Sequence, residues 1–523
     1  MRLVVIACAA YLCAGESVAR GDLPYRTRDP VVLIGADLEA FLGLPVDGVL
    51  AYRYDNGWEQ IPLQVDERAE VDFGVAYGLS PIGFTTLAYT DPATFTGADP
   101  DTAFDANDEL VFMARDTGAR VAAHNPAPPE MPLDGATEVE IRDPLTNGVS
   151  YVYLFRTGGA MPSQPTPDYV GYSFNLLSGD YLTTYDTLVG PNPEDSVVVS
   201  SHYRTHFSDR WIRDDLNVFA DDSTGVDILD RHTNLFAPDT CERSEDTFSA
   251  GEGAFLANKD GPIRAIRSYL GANSGPLTQR DHFFYDQRHD IVTALRVHQI
   301  PGMMDLYDYS PAAAGMTYYN DLNTTGVLID GLADTLVPGG IVWEMATGAQ
   351  GSLVVTHLLE TDIGGFVYTS YYQDDDEPLL TPCTGDPFRY ATSGTWVNTV
   401  TGIPNTDPLV GPFNTLSARR IVYCCGPGLA PADATLLHRL ATTPFVVVNR
   451  PWSSRWADVN GDCHVDTADY ARLATCASGP AACGGDGCEA FDRDGDCAVT
   501  LRDFAEFQFV FTGDDYSLPD CGR

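Results

Sequence analysis

Apolar and polar residues alternate in short runs for most of this chain, and Gly, Pro, Asn or Asp separates one run from the next. That pattern predicts β-strands joined by tight turns. In residues 24–160 the runs are Val31–Ile34, Val49–Tyr54, Ile61–Val65, Leu110–Met113, Val139–Ile141 and Tyr151–Phe155, and only Asp37–Leu42 predicts a short helix. In residues 169–450 they include Ser196–Val199, Ile263–Leu270, Ile291–His298, Gly340–Trp343, Ser352–Thr356, Gly365–Tyr372 and Arg419–Tyr423, closed by a helical stretch at Ala432–Ala441. Many short strands bury their apolar faces by stacking sheets. The expectation is a mostly β protein: an N-terminal β-sandwich (24–160), a larger antiparallel β-sandwich or supersandwich (169–450), and a small helical module at 456–513. The proline-rich Met161–Asp168 predicts the linker between the sandwiches.

The C-terminal module carries two matched acidic loops, Asp458–Asp469 and Asp492–Asp503, 34 residues apart. Each places oxygen side chains at loop positions 1, 3, 5 and 12, with Val at position 8, and runs into an amphipathic stretch. A twelve-residue loop with this spacing wraps a hard cation in oxygen ligands. The ligands in the first loop are Asp458, Asn460, Asp462, the His464 carbonyl, Asp466 and Asp469. In the second they are Asp492, Asp494, Asp496, the Ala498 carbonyl and Asp503, with Thr500 as an addition. Two Ca²⁺ ions are expected. The competing reading, two Asx-rich turns without an ion, leaves clustered carboxylates repelling one another.

The duplicated loop-and-helix pattern over Trp456–Gly513 resembles the type I dockerin module, as found in secreted planctomycete-type proteins. The resemblance implies one helix after each calcium loop, the two helices packed together, and a cohesin-like or cell-surface partner. Position 6 departs from the family's Gly, being Cys463 and Cys497, and positions 10 and 11 are Thr467-Ala468 and Leu501-Arg502 instead of a Ser/Thr pair. In the body, Trp58–Asp66 and Asp108–Phe112 are similar to N-terminal sandwich segments of secreted carbohydrate-active proteins, including lyase-like ones.

Composition narrows the partners. The formal net charge is −43, with Lys259 the sole lysine. Such a field repels nucleic acid and anionic membrane surfaces. Residues 1–19 read as a signal peptide: Arg2, an apolar run from Leu3 to Ala14, and a small-x-small site at Ser17–Ala19. No later segment is apolar enough to span a bilayer. A secreted, extracellular or cell-surface location follows. Beyond the leader, Cys241, Cys383, Cys424 and Cys425 lie in the body and six cysteines in the tail, even counts that predict disulfides in each. Zinc competes, but His464 is the only histidine among the tail cysteines.

Six of the ten histidines fall between residues 201 and 300. A strand through Ser200–His206 would put His202, Arg204 and His206 on one face, and Arg296 and His298 would share another, with Tyr285 nearby in sequence. Arg could neutralise a sugar carboxylate while His or Tyr removed the proton beside it, which is lyase chemistry. The plainer reading pairs these side chains with the abundant Asp and Glu. A shared metal on His202 and His206 fails on distance, since i and i+4 of a strand lie ~13 Å apart. The acidic segments Ala98–Glu109 and Asp374–Glu377 read as solvated loops, the first also as a further calcium loop. No Gly-x-Ser-x-Gly, P-loop, dinucleotide or His-Glu-x-x-His motif is present. Two functions stand: a secreted polysaccharide-processing enzyme of lyase or glycoside hydrolase type with an attachment module, or a non-catalytic exported binding or surface protein with a calcium-stabilised tail.

Overall fold

The computed structural model describes residues 23–121, 127–128, 131, 135–157, 168–180, 182, 192–219, 225–236, 243–251, 253–272, 275–296, 302–363, 365–375, 389–398, 415–452, 457–459, 464–477, 488, 491 and 498–511. The leader and all of the expected linker but Asp168 lie outside them. The protein is mostly β, built from antiparallel sheets, as the alternation predicts.

Two sheets enclose the first core. Three strands run in the order Pro30–Ile34, Glu109–Met113, Gln64–Asp66, and five in the order Val446–Pro451, Thr137–Arg142, Val149–Arg156, Val49–Tyr54, Trp58–Ile61. Strand alternation sends Val139, Ile141, Val152 and Leu154 inward against Leu33, Leu110 and Phe112. The run expected as one strand, Ile61–Val65, is divided between the two sheets. Pro62 has no N–H to give a ladder, so one strand ends at Ile61 and the next begins at Gln64. The helix expected at Asp37–Leu42 is a pair of 3₁₀ turns, Gly35–Asp37 and Glu39–Phe41, whose Leu38 and Phe41 plug the same core. The strand Val446–Pro451, at the end of the range expected for the body, instead pairs with Thr137–Arg142, with Val447 opposite Ile141.

Three sheets form the body. Nine strands from Ala254–Lys259 to Asn323–Leu328 make the largest, with Arg288–Arg296, Thr415–Cys425 and Gly351–Thr361 adjacent at its centre. Five strands order as Arg243–Ser244, Leu229–Phe236, Gly302–Tyr309, Arg389–Asn398, Tyr368–Asp375, and five more as Val170–Ser173, Ser196–Ser200, Tyr203–Phe207, Arg213–Val218, Val226–Asp227. Their inner faces meet in one core that includes Val198, Tyr203, Phe284, Ile291, Tyr307 and Val355. The helix Pro431–Thr442 starts with Pro at its first turn, where no N–H is needed, and turns Ala434, Leu437 and Leu440 onto the back of the large sheet.

Two expectations are corrected here. Asp374 is not solvated: it is buried and accepts the backbone N–H groups of Asp330 (2.9 Å) and Gly331 (3.0 Å), so its carboxylate holds a turn. Cys424 and Cys425 are buried thiols that no disulfide joins to each other. As neighbours on one strand they face opposite ways, Cys424 into the central core and Cys425 toward Leu429 and Leu437. Cys241 and Cys383 lie outside the described residues.

The body interior also contains charge. Arg267 and Glu194 are both fully buried and form two parallel bonds, 2.6 and 2.8 Å, with the guanidinium 4.3 Å above the Phe207 ring. Removing one member leaves an uncompensated buried charge. Arg267→Met or Glu194→Leu alone is expected to cost about 3–5 kcal/mol, and the double substitution to recover most of it. Denaturant midpoints of the four proteins measure this; additive losses would show that the pair does not act as a unit.

Candidate functional site

The two tail loops lead into helices Thr467–Cys476 and Leu501–Val510. Both start with the same device. Asp466 Oδ1 accepts the N–H of Ala468 at 2.7 Å, and Asp469 Oδ2 accepts the N–H of Asp466 at 3.0 Å. Thr500 Oγ1 accepts the N–H of Arg502 at 3.1 Å, and Asp503 Oδ2 accepts the N–H of Thr500 at 2.7 Å. These are reciprocal caps of the first turn. Thirty-four residues apart, Ala457 and Phe491, Val465 and Val499, and Leu473 and Phe507 pair as equivalents in one small core. Tyr470 lies 5.7 Å from Phe504 and 6.2 Å from Phe507, so the helices pack on each other.

The position-12 carboxylates, Asp469 and Asp503, are completely buried, and Asp458 is nearly so. Asp469 Oδ1 also accepts the N–H of Val459 at 2.9 Å, which ties the end of the loop to its beginning. A carboxylate has about four lone-pair positions, so bonds to backbone donors leave capacity for a cation. Carboxylate oxygens and loop carbonyls are the donor types a hard ion takes, but among the described residues no three His, Cys, Asp or Glu are gathered to hold one; His464 is half-buried and Ala498 is buried beside position 8. Asn460, Asp462, Asp492, Asp494 and Asp496 lie outside the described residues. A disulfide joins Cys476, at the end of the first helix, to Cys488. The remaining tail cysteines lie outside the described residues.

Each described body residue predicted for catalysis has an internal partner of its own. Arg204 and His206 share one face of Tyr203–Phe207, as alternation requires, but each is held by acid. Arg204 pairs with Asp215, and His206 meets Asp214 (2.6 Å) through one ring nitrogen and Asp195 (3.1 Å) through the other. His202 Nδ1 lies 3.0 Å from Asp286 Oδ1, and Ser201 Oγ lies 2.9 Å from the same nitrogen. Ser and Asp therefore share one ring atom, and no relay runs from hydroxyl through imidazole to carboxylate. Burial alone would raise the Asp286 pKa, but His202, Arg115 and Ser201 hold it well below the usual carboxylate range. Tyr285 is buried, with Arg264 Nη1 3.3 Å from its hydroxyl, and burial pushes its pKa up. Arg296 lies over Phe73 and Phe84 of the N-terminal region and donates to Gln279. His298 lies outside the described residues.

Sequence reasoning placed Arg280 and His282 near its candidate face but did not assemble a different group to which they belong. Arg213, His232, Arg280, His282, His289, Asp305 and Arg420 are all buried in the body interior. Asp305 Oδ1 receives Arg420 and lies 2.7 Å from His232 Nε2, and its Oδ2 accepts from Arg280 at 3.2 Å. Burial, then the Arg420 charge, pushes the His232 pKa far down. The signal was present in Arg280-Asp-His282-Phe-Phe284, where alternation turns Arg, His and Phe to one face.

No family model matches the chain, and no curated protein matches it. Among solved structures, a heparinase III matches at 9% identity and TM-score 0.27, over 53% of this chain and 38% of that one. A putative aldose 1-epimerase from Escherichia coli K12 matches at 10% identity and TM-score 0.20, over 48% of this chain and 99% of that one.

Glu245 borders the missed group. It is fully buried, accepts the N–H of Asn234 at 2.9 Å, and burial raises its pKa from 4.5 to about 7. Its folded pKa exceeds the unfolded one, so between those values the native state binds the extra proton and stability falls as pH rises. The expected loss from pH 4.5 to 7 is roughly 3 kcal/mol, flattening above. Glu245→Gln should remove that slope in denaturant melts taken across pH; an unchanged slope would assign the dependence to other groups.

Proposed function

We propose that this is an exported calcium-binding protein. Its C-terminal, dockerin-like module attaches it to a cohesin-like or cell-surface partner, and its β-sandwich body contacts extracellular polysaccharide. The observation that carries the reading is the duplicated pair of buried position-12 carboxylates, Asp469 and Asp503, each set at the start of a helix. Two acids buried in so small a module are costly unless something offsets their charge. A bound Ca²⁺ would supply that charge and draw the loop oxygens together. Asp458, Asp469 and the His464 carbonyl would hold one ion, and Asp503 and the Ala498 carbonyl would contribute to the other, with the remaining loop acids completing each set.

Export is supported by the leader pattern and by the Cys476–Cys488 disulfide, which suits an oxidising compartment. No helix among the described residues is long and apolar enough to cross a membrane. Polysaccharide contact rests on the sequence likeness of the Trp58–Asp66 and Asp108–Phe112 segments. Contact without turnover is favoured by the five described side chains predicted for catalysis, each of which is already engaged by an internal partner.

Calorimetric titration of the purified protein with Ca²⁺ should give two sites. Asp469→Asn and Asp503→Asn should each weaken one site by at least tenfold, as the position-12 ligand is the loop's closing carboxylate. Chelator should make residues 456–513 protease-sensitive while the body stays resistant. Absence of bound calcium in the unsubstituted protein would end this reading. A panel of neutral and uronic-acid polysaccharides, assayed for binding and for unsaturated products, separates the binding protein from the lyase.

A further inference from the structure

The five-stranded sheet of the first sandwich turns one face to its core and the other outward. On the strand Thr137–Arg142, Val139 and Ile141 fill the core, so alternation sends Glu138, Glu140 and Arg142 to the outer face. Register puts Arg450 opposite Glu138, and Tyr151 opposite Glu140. Gly118 pairs with Tyr151, which brings Arg120 to the same place, its guanidinium 5.6 Å from the centre of the Tyr151 ring.

These groups form a row of alternating charge. Arg142 donates to Glu140 Oε1, and Arg450 donates to Glu140 Oε2 at 2.5 Å. Arg450 also lies 3.7 Å from Glu138 Oε1, and Arg120 donates to both Glu138 oxygens, at 3.0 and 3.2 Å. Tyr153 gives its hydroxyl proton to Glu138 Oε2 at 3.1 Å. Both carboxylates are buried, whereas the side chains of Arg120, Arg142 and Arg450 are 58%, 54% and 41% exposed. Two arginines would balance two carboxylates, so the third leaves the row positive. These bonds leave Nη1 of Arg120, both Nη groups of Arg142, and Nε and Nη2 of Arg450 to meet a ligand. An arginine already held by a buried acid has less side-chain freedom to lose when it binds.

With a formal net charge of −43, the protein repels polyanions at a distance. Any acidic polymer it holds must be held locally, where an excess of positive charge is exposed. The two oxygens of a carboxylate match the forked donors of a guanidinium, and a row of them suits acids repeated along a chain. We propose that Arg120, Arg142 and Arg450 form a docking face for an acidic polysaccharide, with uronate carboxylates on the guanidiniums. This rests on the polysaccharide reading above and names its substrate class. Trp58–Ile61, from one of the segments behind that reading, is an edge strand of the same sheet.

Binding of the whole protein to hyaluronan and to neutral dextran, at fixed calcium and across salt, tests this. Hyaluronan should bind, more weakly as salt rises, and dextran should not. Arg120→Gln and Arg142→Gln should each weaken hyaluronan binding about tenfold, the worth of one charge-assisted bond. Each substitution leaves its glutamate a partner, Tyr153 for Glu138 and Arg450 for Glu140. Arg419→Gln removes a comparably exposed arginine (44%) from the body and should leave binding unchanged. Equal weakening by Arg419→Gln would assign binding to overall charge and overturn the proposal, as would hyaluronan binding that neither row variant weakens. Should those variants not fold, the salt titration of the unsubstituted protein decides: hyaluronan binding that salt does not weaken overturns the proposal. A second copy of this chain on the face would raise the mass in light scattering, a rise that Arg142→Gln removes, and that result overturns it too. Dextran binding equal to hyaluronan binding sinks the docking face and leaves the polysaccharide reading standing. Binding of neither polymer overturns the proposal, and the wider panel above then decides that reading.

Discussion

Asp305 sits between the two large sheets of the body and holds Arg280, Arg420 and His232 at once. A charge this deep tolerates no slack. A carboxylate moved by one residue along its strand would turn to the other face of the sheet, and two guanidiniums would lose their partner. The register Asn234 to Asp305 and His232 to Tyr307 is therefore constrained by electrostatics as well as by apolar fit. Arg420, on the facing sheet, adds a bond between layers, so the spacing of the sandwich is fixed by the same carboxylate. Arg267 with Glu194 does the same work toward the third sheet.

The two sandwiches are tied by similar means. Arg264 of the body meets Asp66 (2.8 Å) and Glu109 of the first sandwich, and Gln64 accepts the N–H groups of Ile263 and Arg264. Arg288 reaches Asp29 at 3.0 Å. The returning strand Val446–Pro451 closes the first sheet after the body is complete. The first sandwich therefore needs residues from both sides of the body in sequence, and its last strand can add only once the body has been made. This topology places the strand at the end of the 169–450 range in a sheet of the first sandwich.

Strand positions were legible at many apolar-faced runs, but the run Gly340–Trp343 supplies only the first residue of Trp343–Gly348, and the apolar Ala254–Lys259 was not singled out. Val49–Tyr54 has the ends that alternation gives it, and Ala432–Ala441 lies within the helix Pro431–Thr442. The strands without a hydrophobic signature were the polar-faced ones: Leu229–Phe236 turns His232 and Asn234 inward, and Gly302–Tyr309 turns Asp305. Period-two hydrophobicity vanishes when the buried face carries Asp, Asn and His, because the pattern reports polarity and not burial. The same blindness hid the interior Arg and His group. Sequence proximity instead suggested His202, Arg204 and His206, whose partners, Asp286, Asp215, Asp195 and Asp214, come largely from neighbouring strands and turns.

The two helices of the tail were legible for the opposite reason. Their signal is local and repeated, so no distant partner is needed to read it. Equivalence at a fixed offset extends from the acids to the core, where Val465 and Val499 and then Leu473 and Phe507 occupy matched places. Duplication thereby solves two problems at once. Each loop is too short to build a core alone, but its single following helix, with the copy's helix, makes a shared apolar layer. Each buried carboxylate caps a helix whose packing in turn fixes the loop. Loss of either loop's geometry would expose part of the layer that supports the other, so the order of one loop is coupled to that of its copy through Tyr470, Phe504 and Phe507.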